Sequence, residues 1–321
     1  MPGTATIKFI NSLKQKKYRR QHNLFVVEGE KMVDELLASC FETEAVYATK
    51  QWLDEKGIPP SGPGKSASPG SGQQGSGRGC PVRTERGAGN TGVKNSEYGN
   101  TWQKDQAGND TRSESPVSEG SGKHDDGRLP FPVYQIGEKE LSRASSLTTP
   151  NKVLAIARIP QFEPDLAAMK NTLTLVLDRV QDPGNLGTLI RSADWFGVDT
   201  LLLSEDSAEV TNPKVVRSTM GSVFRVRYHY AHLPSLLASP ELQGIPVYGA
   251  FAGAGPVWSH PLSPAGMIVL GNESQGITPE VRKLINHRIG IPAARPRGGP
   301  ESLNIAVAGS IILAEFRRRN C

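Results

Sequence analysis

The chain has 321 residues, enough for two ordinary domains that each bury a core of their own. Its formal net charge is a modest +5, and apolar runs such as Leu173–Leu177 are far too short to cross a bilayer. Three widely spaced cysteines, Cys40, Cys80 and Cys321, form no Cys-x-x-Cys pair, which speaks for a reducing compartment and against a zinc site or a disulfide framework.

The first twenty residues hold Lys8, Lys14, Lys16, Lys17, Arg19 and Arg20, and no acid precedes Glu28. Such a patch suits a polyanion, because neutralised phosphates release counterions, and it equally suits a solvated helix face. Ile7, Phe9 and Ile10 alternate with Lys8 and Asn11, so no signal peptide is read here. A mitochondrial presequence would share the basic, acid-poor character, but the stretch also reads as part of a folded domain; the expected location is cytoplasmic. In chain order the patterns predict a basic helix over residues 7–17, a strand over 24–27, a helix over 30–38 and a strand over 45–48.

Composition then shifts. Residues 57–130 carry 16 of the 34 glycines and only five Ile, Leu or Val, too little apolar surface to offset the entropy of ordering. Structured-looking sequence resumes with a strand over 133–136, a helix over 138–145 and a strand over 153–157. Residues 57–130 therefore read as a disordered insertion within one small α/β domain spanning 1–158. From residue 171 to 321 strands and helices alternate, with strands expected at 173–177, 200–204, 224–229, 247–250, 267–271 and 288–291. Asn212 before Pro213 and Thr278 before Pro279 read as helix starts with a side-chain cap and proline at the first helical position. This alternation indicates an α/β domain with a mainly parallel sheet.

Three segments of that region could carry chemistry. The first, Asp178-Arg179-Val180-Gln181-Asp182-Pro183-Gly184-Asn185-Leu186-Gly187 through Arg191, directly follows a strand, turns at Pro183-Gly184 and enters a helix near Asn185. Ligands of open α/β sheets gather at the carboxyl ends of strands, yet an Asn cap with an ordinary helical arginine explains the segment as well. The second, Leu270-Gly271-Asn272-Glu273 to Gly276, reads either as a site or as a tight turn. The third runs from Ile291-Pro292 to Glu301-Ser302-Leu303-Asn304 and a last helix, with Ser302 as its expected cap. On that helix Leu303, Val307 and Ile311 form an apolar stripe expected to pack. None of the segments is a G-x-G-x-x-G or Walker A loop, which disfavours a Rossmann-type nucleotide enzyme. His229 and His232 have no Cys or carboxylate clustered with them, so no metal is expected.

In this order the three segments resemble the SpoU/TrmH group of RNA ribose methyltransferases, within the SPOUT class, over about residues 173–318. Residues 5–56 and 131–157 are similar to the ribosomal-protein-like substrate-binding domain that often precedes it. The resemblance implies a trefoil-knotted α/β domain, a homodimer with active sites near the subunit interface, and S-adenosyl-L-methionine as the cofactor, with no metal required. Arg191 would then act at the ribose hydroxyl or its phosphate, by electrostatic stabilisation of a developing alkoxide. Asn185 would position Arg191 or the nucleotide, and Glu273, Ser302 and Asn304 would complete the pocket. The cofactor would lie against Leu270, Gly271, Asn272, Ile291 and Leu303, and RNA against Lys14, Lys16, Lys17, Arg19 and Arg20. The implied substrate is structured RNA, 23S-type rRNA ahead of tRNA, with a non-catalytic RNA-binding assembly factor as the alternative of another class. One departure is the 293–300 link, longer than the family pattern and carrying Arg295 and Arg297.

Overall fold

The computed structural model describes residues 2–61, 129–149, 151–294 and 301–319. The expectation of disorder for 62–128, and any RNA contact by Arg295 or Arg297, lie outside these residues.

The apolar stripe Ile7, Ile10 and Leu13 draws the first helix, α1 (Thr4–Ser12), onto the core, and it runs out at Leu13. Lys14 and Lys17 would continue it and cannot be buried unpaired. The expected single helix over 7–17 is therefore two: the chain turns at residues 13–15 and restarts as α2 (Lys16–His22). Then follow β1 (Leu24–Glu28), α3 (Glu30–Leu37), β2 (Thr43–Ala48) and α4 (Lys50–Lys56). The sequence reading passed over α4, although Thr49 caps it and Gly57 closes it at φ 63°. Residues 57–61 also stay attached, since Ser61 N–H donates to Val133 C=O at 2.8 Å. After the insertion come β3 (Val133–Gln135), α5 (Glu138–Ala144) and β4 (Val153–Arg158). The four strands make one sheet in the order β1-β4-β2-β3, with β2 and β3 parallel and the other pairs antiparallel.

The remaining elements are α6 (Leu166–Met169), β5 (Leu173–Leu177), α7 (Pro183–Trp195), β6 (Thr200–Ser204), α8 (Pro213–Ser218), β7 (Arg227–Ala231) and α9 (Leu233–Leu237). They continue as β8 (Val247–Ala250), β9 (Gly266–Leu270), α10 (Pro279–Arg282), β10 (His287–Ile289) and α11 (Ile305–Arg318). The strand expected at 224–229 is displaced to Arg227–Ala231, because Gly221 at φ 99° turns Ser222–Phe224 into a 3-10 turn. Asn212 caps its helix as expected, whereas Thr278 offers no side-chain cap; its own N–H donates to Asp178 Oδ2 at 2.7 Å.

The six strands are all parallel, in the order β10-β8-β9-β5-β6-β7. Alternate residues face opposite layers. Leu175, Leu177, Leu201, Leu203 and Leu270 meet α7 and α11, while Val176, Leu202 and Val269 join Leu233 and Val281 on the other side. Gly309 lets α11 approach closely, for a Cβ there would lie 2.6 Å from Leu189 Cδ2. The stripe expected to pack on this helix does not. Leu303, Val307 and Ile311 are 46%, 49% and 39% exposed, and the buried face is Ile305, Ala306, Gly309, Ile312, Leu313 and Phe316.

Both sheets belong to one compact unit. Phe41 packs edge-on to Phe25, Phe162 and Phe224, joining the small sheet to the large one. Arg225 pairs with both Glu35 on α3 and Asp194 on α7. Among the described residues no helix is long and apolar enough to cross a membrane.

Candidate active site

The parallel arrangement puts every strand's carboxyl end on one edge of the large sheet. The chain builds outward from β5 through β6 to β7, then crosses to β8 and β9 on the far side, so the strand order reverses between β5 and β9. A crevice at such a reversal is where open α/β sheets bind ligands.

Asp182 forms the start of α7, its Oδ1 accepting the Asn185 N–H at 2.8 Å. Asn185 is thus not the cap, and its side chain is free to reach across the crevice. Its Nδ2 donates to Glu273 Oε1 at 2.9 Å, and its Oδ1 accepts from Asn304 Nδ2 at 2.9 Å. Asn304, rather than Ser302, caps α11, accepting with Oδ1 from Ala306 and Val307 N–H at 2.9 and 3.3 Å. That cap fixes the direction of the whole chain of bonds. Only the Asn304 oxygen can accept backbone N–H groups, so its NH2 faces Asn185, whose own NH2 then faces a carboxylate that accepts. Three segments up to 119 residues apart are closed into one relay.

The β9 loop owes its shape to Gly271 and Asn272. A Cβ on Gly271 would sit 2.3 Å from the Gly276 carbonyl carbon, so only glycine permits the turn. Asn272 Oδ1 accepts from Ser274 and Gln275 N–H at 3.0 and 3.1 Å, while its Nδ2 donates to Arg179 C=O at 2.9 Å. The side chain of Asn272 is committed to the loop, and Glu273 is left exposed at its tip.

Arg179 lies in the first candidate segment, where the sequence assigns it no role of its own. It adopts φ 62°, a left-handed conformation that costs a non-glycine residue of order 1 kcal/mol. Its N–H donates to Ser204 Oγ at 2.8 Å, and its guanidinium meets Gln275 Oε1 at 2.7 Å and Asp206 at 2.9 Å. One residue thereby ties the ends of β5, β6 and β9. The sequence offered only an arginine after a strand; its conformation and partners are tertiary facts.

Arg191 lies six residues beyond Asn185 on α7, about 9 Å further along the helix axis. It is exposed, lies outside the relay, and has no hydrogen bond or ion pair among the described residues. Trp195, one turn further, is 83% exposed, and Ser192 Oγ bonds Ser310 Oγ at 2.7 Å where α7 meets α11. Leu270 is buried and can offer a ligand only its backbone. Gly271 and Ile291 are half-buried, and Ser302 and Leu303 are exposed beside Asn304.

The basic run divides. Arg19 is 2% exposed; its guanidinium pairs with Glu209 across the two sheets and donates to Leu13 and Lys14 C=O at 3.0 and 2.8 Å. It holds the fold together and is out of reach of RNA, which corrects its expected role. Lys14 is partly buried, donates to Ser145 C=O at 2.9 Å, and burial lowers its pKa despite nearby Glu28. Lys16, Lys17 and Arg20 are exposed. His229 donates from Nδ1 to Phe162 C=O at 2.6 Å, and His232 Nδ1 meets Ser235 Oγ at 2.8 Å. Among the described residues no three His, Cys, Asp or Glu side chains group as metal ligands.

Comparison with known proteins agrees with this geometry. Residues 172–314 match the SpoU rRNA Methylase family, and residues 4–67 match the MRM3-like substrate binding domain. The 23S rRNA (guanosine(2553)-2′-O)-methyltransferase RlmP of Bacillus subtilis is 34% identical over 185 residues, covering 57% of this chain and 72% of the relative. A solved structure from Porphyromonas gingivalis, assigned to the TrmH family of RNA methyltransferases, is 30% identical with a TM-score of 0.70 over 99% of both chains. The SpoU methyltransferase AviRb of Streptomyces viridochromogenes, solved in complex with AdoMet, shares the fold at 19% identity. Its TM-score is 0.69, over 99% of this chain and 98% of that one.

Proposed function

The chain belongs to the SpoU rRNA methylase family, and from that premise we propose that it methylates the ribose 2′-hydroxyl of one nucleotide in 23S-type rRNA. It is an S-adenosylmethionine-dependent RNA 2′-O-methyltransferase. The observation that carries the reading is the relay Glu273–Asn185–Asn304, which assembles all three motif segments at the β5/β9 crevice.

The residues present fit the cofactor. Leu303 is an apolar side chain left exposed next to the relay, and the half-buried Ile291 and the Gly271 backbone offer a flat apolar bed with peptide groups for an adenine. When bound, the cofactor supplies an electrophilic methyl group on a sulfonium, so the protein's work is alignment and charge stabilisation. The guanidinium of Arg191, without a partner among the described residues, is available to the ribose oxygen as it loses its proton, or to the adjoining phosphate. Asn185 holds Glu273 and Asn304 at fixed positions, and Asn272 and Arg179 hold the loop that presents Glu273. Lys16, Lys17 and Arg20 contribute phosphate contacts.

The same reading has two functional parts, an RNA-binding domain over 1–158 with its insertion and a catalytic domain over 171–321 in which the chain is knotted. A second copy covers the exposed α7/α11 face, where Trp195, Val307 and Ile311 leave apolar side chains uncovered. The chain works in the cytoplasm, where ribosomal RNA is processed.

The test is incubation of large-subunit rRNA and, separately, tRNA with labelled cofactor, followed by alkaline hydrolysis. One alkali-resistant phosphodiester in rRNA is the expected result. Label confined to tRNA would transfer the assignment to tRNA, and cofactor binding without transfer to either RNA would favour an assembly factor.

A further inference from the structure

A cleft of about 790 Å³ lies away from the relay, between α2, the 159–164 connection and the edge strand β7. That volume is in the range of small-molecule sites. Four features of its lining bear on its occupant. Lys16 and Arg20, both exposed, are its cations and come from the small-sheet side. Glu205 lies on the other side, at the carboxyl end of β6, and Glu163 and Glu209 also line the cleft, Glu209 3.6 Å from Arg20. Tyr230 contributes a ring, 38% exposed, with its hydroxyl held between Ala208 C=O at 2.7 Å and Val210 N–H at 2.8 Å. Tyr228, 8% exposed, has a buried hydroxyl without a hydrogen-bond partner.

This mixture decides among ligand classes. A bare phosphate inside would meet Glu205 as well as the cations and would be repelled there. An apolar ligand would desolvate the lining carboxylates without pairing them. A nucleobase suits the rest: its face stacks, its exocyclic amine donates to a carboxylate, and its phosphate stays at the basic rim. A ring with its hydroxyl already tied down is also an inexpensive platform, since no rotamer freedom is lost on stacking.

We propose that the cleft between α2 and β7 holds an unpaired base of the substrate RNA, stacked on Tyr230 with its amine toward Glu205 and its phosphate at the rim beside Lys16. The inference rests on the RNA-methyltransferase reading and deepens it: the substrate would be an RNA with a splayed, amine-bearing base near the modified ribose. Duplex RNA, whose bases are stacked on each other, would not fill the cleft.

The test uses the full chain and transcribed large-subunit rRNA. Ultraviolet crosslinking with peptide mapping is expected to place a nucleotide adduct on the segment containing Tyr228 and Tyr230. Tyr230→Ala is expected to raise KM for RNA roughly tenfold, the scale of one lost base stack, with kcat within about twofold. Tyr230→Phe keeps the ring and loses only the two hydroxyl bonds, so it should retain near-native KM. A merely structural role of the hydroxyl would make Phe as harmful as Ala, and that result overturns the proposal. So does unchanged KM in Tyr230→Ala, or adducts confined to other segments while the wild type methylates the transcript. Adducts at Tyr230 without any methylation would sink the reaction reading and leave the cleft's assignment standing.

Discussion

The small sheet and the large sheet present their functional side chains in opposite ways. On the small sheet they are exposed charges on α2, Lys16 and Lys17 without an ion pair among the described residues and Arg20 3.6 Å from Glu209. On the large sheet they are members of a bonded set, in which Asn185 has meaning only through Glu273 and Asn304. A surface of independent cations tolerates loss of any one, because phosphate attraction is additive and screened. A relay fixed in direction by a helix cap has no such redundancy. The contrast places specificity in the crevice and general affinity on α2.

The sharpest way to break this comparison is at Arg191. Arg191→Ala should lower kcat by about 10²–10³-fold, the usual cost of removing a donor aimed at developing charge, while cofactor affinity measured by calorimetry stays unchanged. Turnover at the wild-type rate would remove Arg191 from the reaction. Asn185→Ala cuts both relay links at once, and a drop of about 10–10²-fold in kcat/KM is expected, larger than the effect of any single lysine on α2. In Asn304→Ala a similar loss should come with about 1 kcal/mol of destabilisation in urea unfolding, because the cap goes with the relay.

Within the basic run itself the comparison can be sharpened by stability rather than activity. Arg19→Ala leaves Glu209 without its buried partner and should cost about 3 kcal/mol. Lys17→Ala should leave unfolding unchanged and reduce the slope of log K for RNA against log salt by about 1. Equal effects from the two would mean that the division of the run is wrong.

The smallest expected effect is at His229, whose pKa burial pushes below the ordinary value of 6.5. A histidine held neutral in the fold binds fewer protons than in the unfolded chain. Stability is therefore retained above pH 6.5, falls as pH drops through it, and levels off below the lowered native value. His229→Gln should flatten that part of the pH–stability curve, read by thermal unfolding; an unaltered curve would assign the acid sensitivity to other groups.

Much of this was written into the sequence because it depends on local periodicity. The strands at Leu173–Leu177, Thr200–Ser204 and Val247–Ala250 are found where the apolar runs put them, and the parallel sheet follows from their alternation with helices. The order of the motif segments was enough to indicate the family and its reaction. What only the tertiary structure decided is which side chains meet. Arg19 and Lys17 are two residues apart and chemically alike, yet one is buried against Glu209 and the other is in solvent. Ser302 is the cap that the sequence leads one to expect, and Asn304 takes that place instead, with Asn185 as its second partner. The Leu303, Val307 and Ile311 stripe was legible as apolar but not as exposed. Periodicity records that a face is apolar or charged; partners more than a hundred residues away, brought together by the reversal of strand order at β5 and β9, determine what that face meets.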